Sequence, residues 1–153
     1  MAAHNKPVRV LLESCINGDS AGLFILDDDS DGLHVTLKLH YPNGQIAARA
    51  TDYFEAMCQI RTQLEAEGWR PVCYGSSRNV YPSSMARDMG LGRKAYKIQL
   101  GRPAFSTDLV SIFDVGPDVQ PSSVEEQKRF WLQWLGSLGW EARGRSAGDQ
   151  RRG

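Results

Sequence analysis

The chain has 153 residues, 41% of them hydrophobic, which is enough for one domain with its own core and too few for two. Lys and Arg together number 18, as do Asp and Glu, and the resulting zero net charge argues against general binding to nucleic acid or to an anionic membrane. The sequence contains no apolar run of transmembrane length, and residues 1–10 lack the apolar segment of a signal peptide, so we expect a cytoplasmic protein.

The first third of the chain predicts an antiparallel meander. Two short apolar runs, residues 8–12 and 22–26, flank a turn-forming Asn17-Gly18 pair and predict a hairpin. Apolar and polar residues then alternate strictly over residues 33–40, as expected for a strand with one buried face. Asn43-Gly44 predicts a tight turn, after which residues 45–50 return as the next strand.

A helix is predicted to follow, because Asp52 and Glu55 have the spacing of a capping box and Gly68 is placed to end the helix. Residues 69–74 are read as a strand, and Pro71 places it at a sheet edge or a bulge because proline cannot donate a backbone hydrogen bond. Residues 75–93 show no periodicity and are interpreted as a long loop, of the kind that is more often functional than merely connecting.

The last third predicts two more strands, residues 95–100 and 109–113, and a second helix over residues 124–138 that begins at a Ser123–Glu126 capping box. Aromatic residues on this helix, with Trp140 after it, are expected to pack mainly against the sheet. The fold class is therefore α+β: a mainly antiparallel sheet of about six or seven strands with two helices packed on one face. Residues 1–140 form the single domain, and residues 141–153 are predicted to be a disordered Arg- and Gly-rich tail.

Charge is distributed unevenly along the chain. Residues 10–31 have a local net charge of −6, whereas residues 69–103 have a local net charge of +6. The two blocks either face each other or form a polarised surface that steers a charged partner. The candidate partner- or anion-binding residues are the charged groups at the centre of each block: Asp27, Asp28, Asp29, Asp31, Arg78, Arg87, Asp88, Arg93 and Lys94.

Two motifs bear on ligand binding. Asp27–Gly32 matches the opening of a calcium loop, but Lys38 stands where such a loop needs a bidentate Glu, so we read a polar turn, with a weak cation site as the alternative. In Arg87–Lys94, Gly90 and Gly92 allow close backbone approach beside three cations, which could hold an anion, although the pattern is not that of a P-loop.

The sequence offers no catalytic set. Ser83 and Ser84 lie outside a nucleophile-elbow motif, and Cys58 and Cys73 lie in apolar patterns that predict inert thiols. With Cys15 the chain has three cysteines, an odd number, and they lack the spacing of metal ligands. We therefore expect all three to be reduced thiols. We therefore expect no catalytic residues, no bound metal and no cofactor, and an enzymatic role is the lesser alternative.

Residues 78–90, together with 94–97 and 108–114, resemble small uncharacterised bacterial proteins. In its size, single domain and lack of a catalytic set, the whole chain is also similar in character to immunity proteins that neutralise bacterial toxins. This resemblance implies a small cytoplasmic protein-binding module with a protein partner, such as a toxin. The alternative is an anion- or nucleotide-binding protein, or a small enzyme, that uses the Arg-rich segment 76–94.

Overall fold

A computed structural model describes residues 6–139 of the chain. They form eight strands and three α-helices, in the following order: β1 Lys6–Glu13, β2 Ser20–Asp28, β3 Val35–Tyr41, β4 Gly44–Ala50, α1 Tyr53–Ala66, β5 Arg70–Val72, β6 Val80–Tyr81, α2 Ser84–Gly90, β7 Lys94–Lys97, β8 Leu109–Ser111 and α3 Val124–Ser137. Short 3-10 helices precede β6 and β8. The predicted α+β class with antiparallel pairing is confirmed, whereas Trp140 and the predicted tail 141–153 lie outside the described residues.

The larger of two sheets has the strand order β4-β3-β2-β1-β5, with every neighbouring pair antiparallel. Its buried face carries alternate apolar residues of β1 to β4, as the predicted alternation requires: Val10, Leu12, Phe24, Leu26, Val35, Leu37, Leu39, Ile46, Ala48 and Ala50. The interleaved residues of these strands are exposed or half-buried. Pro71 lies in the short edge strand β5, as its missing N–H predicts.

The expectation of one sheet with two helices was wrong, because β6, β7 and β8 form a separate three-stranded antiparallel sheet. These strands are two to four residues long, and none of them pairs with a strand of the five-stranded sheet. They lie beside α1 in the same core, where the ring of Phe113, just after β8, meets Phe24 of β2 edge-to-face with centroids 5.6 Å apart. The predicted long loop 75–93 was also wrong, since it contains β6 and α2.

Helix boundaries follow the capping signals. Asp52 is the N-cap of α1 and accepts a hydrogen bond from the N–H of Glu55 at 2.7 Å, and Gly68 adopts a positive φ just beyond the helix. At α3, Ser123 and Glu126 form the predicted reciprocal capping box. The residues that α3 buries are Gln127 and Phe130, while Trp131 stacks on Tyr81 with ring centroids 4.4 Å apart, so the predicted broad aromatic core stripe is narrower than expected.

A buried arginine joins α1 to the second half of the chain. Arg61 is 1% exposed, and no carboxylate within residues 6–139 lies at ion-pair distance from it. Its guanidinium donates to the carbonyls of Gly75 at 3.2 Å and Ser122 at 2.9 Å, and to Oε1 of Gln127 at 2.6 Å. Burial in this apolar setting lowers the pKa of the guanidinium.

Gln127 completes this network from α3. Its amide nitrogen lies within hydrogen-bond distance of the carbonyls of Gly75, Ser77 and Val80, at 2.9 to 3.0 Å. These carbonyls belong to an irregular, largely buried segment, in which the Gly75 carbonyl also accepts from Arg61 and the Ser77 carbonyl from the N–H of Val80. The Arg61–Gln127 network therefore satisfies the backbone where α1, α3 and β6 meet.

We expect Gln127→Ala to lower the free energy of unfolding by about 2–4 kcal/mol, because it removes a donor from three buried carbonyls and the shortest of the three hydrogen bonds of Arg61. Gln133→Ala is the matched control, since Gln133 lies on the same helix with an exposed side chain. Urea denaturation of both variants measures the difference, and equal midpoints would contradict the role assigned to Gln127.

Candidate interaction surface

Helix α2 lies against the end of the large sheet where β2 and β4 finish. Ser83 caps its N-terminus by accepting a hydrogen bond from the N–H of Ala86 at 3.0 Å. Leu91 ends it in the left-handed conformation, with φ of +55°. The carbonyl of Leu91 then accepts a hydrogen bond from the N–H of Tyr53 at 2.8 Å, which ties the end of α2 to the start of α1.

Asp52 holds α2 from the other side. Gly92 has φ of +68°, and a Cβ on it would lie 2.7 Å from Oδ1 of Asp52, so only glycine fits at this approach. Oδ2 of Asp52 accepts a hydrogen bond from Arg87 at 3.3 Å, and the Arg87 guanidinium lies over the ring of Phe54, 5.0 Å from its centroid. The carboxylate thus caps α1 and anchors α2 at once.

The acidic and basic blocks of the sequence meet at this end of the sheet. Arg93 donates to both carboxylate oxygens of Asp28, at 2.8 and 3.0 Å. The buried phenol of Tyr53 donates a hydrogen bond to Oδ1 of Asp28 at 2.6 Å. Burial is the main reason that the pKa of Tyr53 is raised, and this hydrogen bond is the second. Of the two alternatives left open by the sequence, pairing within one chain holds for these charges.

We call residues 27–34 the acidic turn, and its carboxylates Asp29 and Asp31 also have hydrogen-bond partners. Asp29 accepts from Thr36 Oγ1 at 2.9 Å and from Arg49 Nε. Asp31 accepts hydrogen bonds from the N–H groups of Leu33 and His34 at 2.8 and 3.0 Å. The pKa of Asp31 is lowered to about 2, mainly by the Leu33 N–H and next by the His34 side chain. Within residues 6–139, no three His, Cys, Asp or Glu side chains are grouped so as to hold a metal ion.

We define the α2 surface as residues 84–94 together with the turn 27–34. It presents large apolar side chains to solvent: Met85 is 69% exposed, Met89 80% and Leu33 70%, and α2 buries none of its residues. Asp88 and Lys94 on the same surface have no ion-pair partner within residues 6–139. Two internal ion pairs, Arg87–Asp52 and Arg93–Asp28, therefore connect the α2 surface to the end of the large sheet, while Met85 and Met89 face solvent.

Arg78 lies elsewhere, apart from the other candidate residues. Its guanidinium lies over the ring of Phe130, 4.3 Å from the centroid, and donates to Oε1 of Gln120 at 3.2 Å. It lines a cleft of about 480 Å³ together with Lys97 and Arg102. Because Arg87 and Arg93 bind Asp52 and Asp28 instead, the Arg-rich segment does not gather its cations around one anion.

The three cysteines are free thiols with different exposure: Cys15 is exposed, Cys58 half-buried and Cys73 buried. Burial raises the pKa of Cys58 to about 11 and also raises the pKa of Cys73. Neither thiol is therefore activated as a nucleophile, in agreement with the apolar patterns around both.

No protein-family model matches the chain, and the search of curated proteins finds no match either. The described helices are also unsuited to crossing a membrane: over residues 6–139, none has both the length and the apolarity required. Function is therefore inferred from the geometry of the α2 surface and of the Arg78 cleft.

Replacing Gly92 tests the attachment of α2. We expect Gly92→Ala to lower the free energy of unfolding by about 1–3 kcal/mol more than Gly18→Ala, because only the former forces a side chain against Asp52. Gly18 is the matched control, since it has a similar φ of +76° and a Cβ there would meet nothing within 4 Å. Thermal melts and amide exchange of residues 84–92 measure the effect, and equal losses would contradict the close approach.

Replacing Arg49 should change the pKa values of Asp29 and Asp31 to different extents. Hydrogen bonds from Arg49 and then Thr36 lower the pKa of Asp29 from its usual 3.8, so Arg49→Met should raise it. The pKa of Asp31 should rise less: Arg49 also bonds to Asp31 at 2.8 Å, but the Leu33 N–H and the His34 side chain are the main causes of its low pKa. Carboxyl-carbon NMR titration measures both, with Arg9→Met as control because Arg9 is an exposed strand arginine without an ion pair within residues 6–139. A parallel rise at both residues would refute this assignment.

The sign of the pH dependence follows from the same shifts. Because both carboxylates have a lower pKa in the folded chain than in the unfolded chain, their ionised forms stabilise the fold above about pH 4. This contribution is lost as the pH falls from about 4 to about 2. In Arg49→Met, the part of the Asp29 contribution that comes from Arg49 should be missing at neutral pH, while the part that comes from Thr36 remains.

Proposed function

We propose that this chain is a protein-binding module and that the α2 surface is its contact surface. The observation that carries the proposal is the exposed methionine pair Met85 and Met89, which stands one helical turn apart on a helix held firmly by its neighbours. Contiguous exposed apolar side chains framed by polar groups are typical of protein–protein contact sites.

Two features of the α2 surface favour binding. The ion pairs Arg87–Asp52 and Arg93–Asp28 hold α2 in place before any partner arrives, which reduces the ordering cost of association. Methionine side chains are flexible and polarisable, so they adapt to an apolar pocket on a partner. Asp88 and Lys94, which lie beside the methionines without ion-pair partners among residues 6–139, then orient the complex.

Within this class, we propose an immunity-type inhibitor of a bacterial toxin that acts in the cytoplasm. The small size and the exposed methionines of α2 support this choice, and the three free thiols suit a reducing compartment. The internal pairing of the acidic turn also bears on the partner. Because Asp28, Asp29 and Asp31 are bound to groups of the same chain, the α2 surface combines exposed apolar side chains with carboxylates that are already paired, and the contact with the partner centres on the methionines.

An anion-binding protein is the second candidate function, and the Arg78 cleft is the observation that favours it. Arg78 has no carboxylate partner within residues 6–139, and the amides of Asn79 and Gln99 line the same cleft. The carboxylates Asp108 and Asp118 also line it, but they pair with Arg102 and Lys97. A cleft with an aromatic floor and a guanidinium suits a small organic phosphate or carboxylate. Thermal shift with inorganic phosphate and with adenosine monophosphate tests it, because a shift abolished by Arg78→Ala would place the ligand there.

The binding-module proposal predicts the effect of charge on α2. We expect the double variant Met85→Glu/Met89→Glu to lose a stoichiometric protein partner that the unchanged chain retains, because two carboxylates cannot enter an apolar pocket without large desolvation costs. Leu132→Glu is the matched control, since Leu132 is an apolar residue 52% exposed on α3, away from α2. Affinity capture from the native host, with quantitative mass spectrometry, compares the three proteins.

The captured protein is then purified, and its dissociation constant is measured for each variant by calorimetry. We expect at least about a hundredfold weaker binding for the double variant and an unchanged constant for Leu132→Glu. If the partner is a toxin, coexpression of the unchanged chain restores growth and coexpression of the double variant does not. Equal affinity of all three proteins would refute the α2 surface as the contact site.

A further inference from the structure

Strand β4 leaves one edge of the large sheet open. It pairs with β3 along its whole length, and no other strand within residues 6–139 pairs with it. Its residues alternate between buried Ile46, Ala48 and Ala50 and exposed Gln45, Ala47 and Arg49. The edge is therefore seven residues long and in contact with solvent.

The register shows which backbone groups point outward. Tyr41 pairs with Gly44 around a two-residue turn, so these two residues form a hydrogen-bonded pair. Hydrogen-bonded and non-hydrogen-bonded pairs alternate along an antiparallel ladder. The N–H and C=O groups of Gln45, Ala47 and Arg49 consequently point away from β3, toward the open edge.

The opposite edge of the sheet is protected, whereas β4 is not. Strand β5 has only three residues, its central Pro71 has no N–H, and the carbonyl of Pro71 accepts a hydrogen bond from the hydroxyl of Ser76. Strand β4 contains neither proline nor lysine, and its ladder with β3 has no bulge. Its one charged side chain, Arg49, is bonded to Asp29 and Asp31 of its own chain. Natural proteins usually block an edge of this length by one of these means.

We propose that β4 pairs with β4 of a second copy of this chain, antiparallel, around a two-fold axis at Ala47. The outward-pointing residues Gln45, Ala47 and Arg49 are placed symmetrically about Ala47. Each outward N–H on one copy therefore meets an outward C=O on the other, and the two large sheets become one continuous sheet.

The side chains are compatible with this register. Ala47 faces Ala47 across the axis, so no bulk separates the strands, and Gln45 faces Arg49 of the second copy, so no like charges oppose each other. The guanidinium of Arg49 bonds to Asp29 and Asp31, which draws it back toward the acidic turn of its own chain. A pairing centred on Arg49 would instead place two arginines face to face, which disfavours that register.

Proline at position 47 gives a direct test by sedimentation velocity over a wide concentration range. We expect the unchanged chain to dimerise and Ala47→Pro to remain monomeric at every concentration, because the central N–H of the interface is removed. The Ala47 N–H is unused in the single chain, so the variant should fold, and circular dichroism with a thermal melt verifies this. A monomeric unchanged chain, or a dimer that survives Ala47→Pro, would overturn the proposal.

Charge complementation supplies a second test that does not depend on proline. Ala47→Lys and Ala47→Glu each place like charges face to face, and we expect each to raise the dimer dissociation constant about fivefold. An equimolar mixture of the two should form a heterodimer about as tight as the unchanged dimer. Equal weakening in the mixture would show that position 47 does not face its own copy. Because Ala47 lies outside the α2 surface, loss of this dimer leaves partner binding at α2 testable on its own.

Discussion

A buried arginine without a counter-ion among the described residues constrains the whole arrangement of this molecule. The Arg61 guanidinium must find acceptors inside the core, since a buried charge without hydrogen bonds is costly. The acceptors come from the second half of the chain, as the carbonyls of Gly75 and Ser122 and the amide oxygen of Gln127. These hydrogen bonds therefore position α1 against the irregular segment after β5 and the start of α3. A shift of α3 would remove the Gln127 side chain from the guanidinium and from the carbonyls of Gly75, Ser77 and Val80.

Local signals predicted the elements that have them. The alternation over residues 33–40, the turn at Asn43-Gly44 and the caps at Asp52 and Ser123 each depend on neighbouring residues, and all of them are present. The small sheet has strands of two to four residues, which are too short to show a period of two, and its pairing depends on tertiary contacts. Arg61 could not be identified as buried, because arginine inside an amphipathic helix normally marks the solvent-facing side.

The charged candidate residues show the same limit. Their uneven distribution was visible in the sequence, but Asp28 and Arg93 are 65 residues apart, and their pairing depends on how α2 returns to the end of the sheet. In the structure, several of these charges pair with one another and do not form a polarised surface. The ion pairs position α2, and the exposed groups beside them are methionines with a few charges that lack ion-pair partners within residues 6–139. Exposed methionines within a segment that lacks periodicity gave no signal of a helix.

The three cysteines differ in how deeply they are buried. Cys15 lies at the surface, Cys58 on the half-buried flank of α1, and Cys73 under the irregular segment that Arg61 and Gln127 hold. A thiol reagent reaches the first directly, the second after a small fluctuation of the helix surroundings, and the third only when the core opens. The three native cysteines can therefore serve as probes of local unfolding. The rate at which each one is labelled measures how often the structure around it opens, without any engineered cysteine.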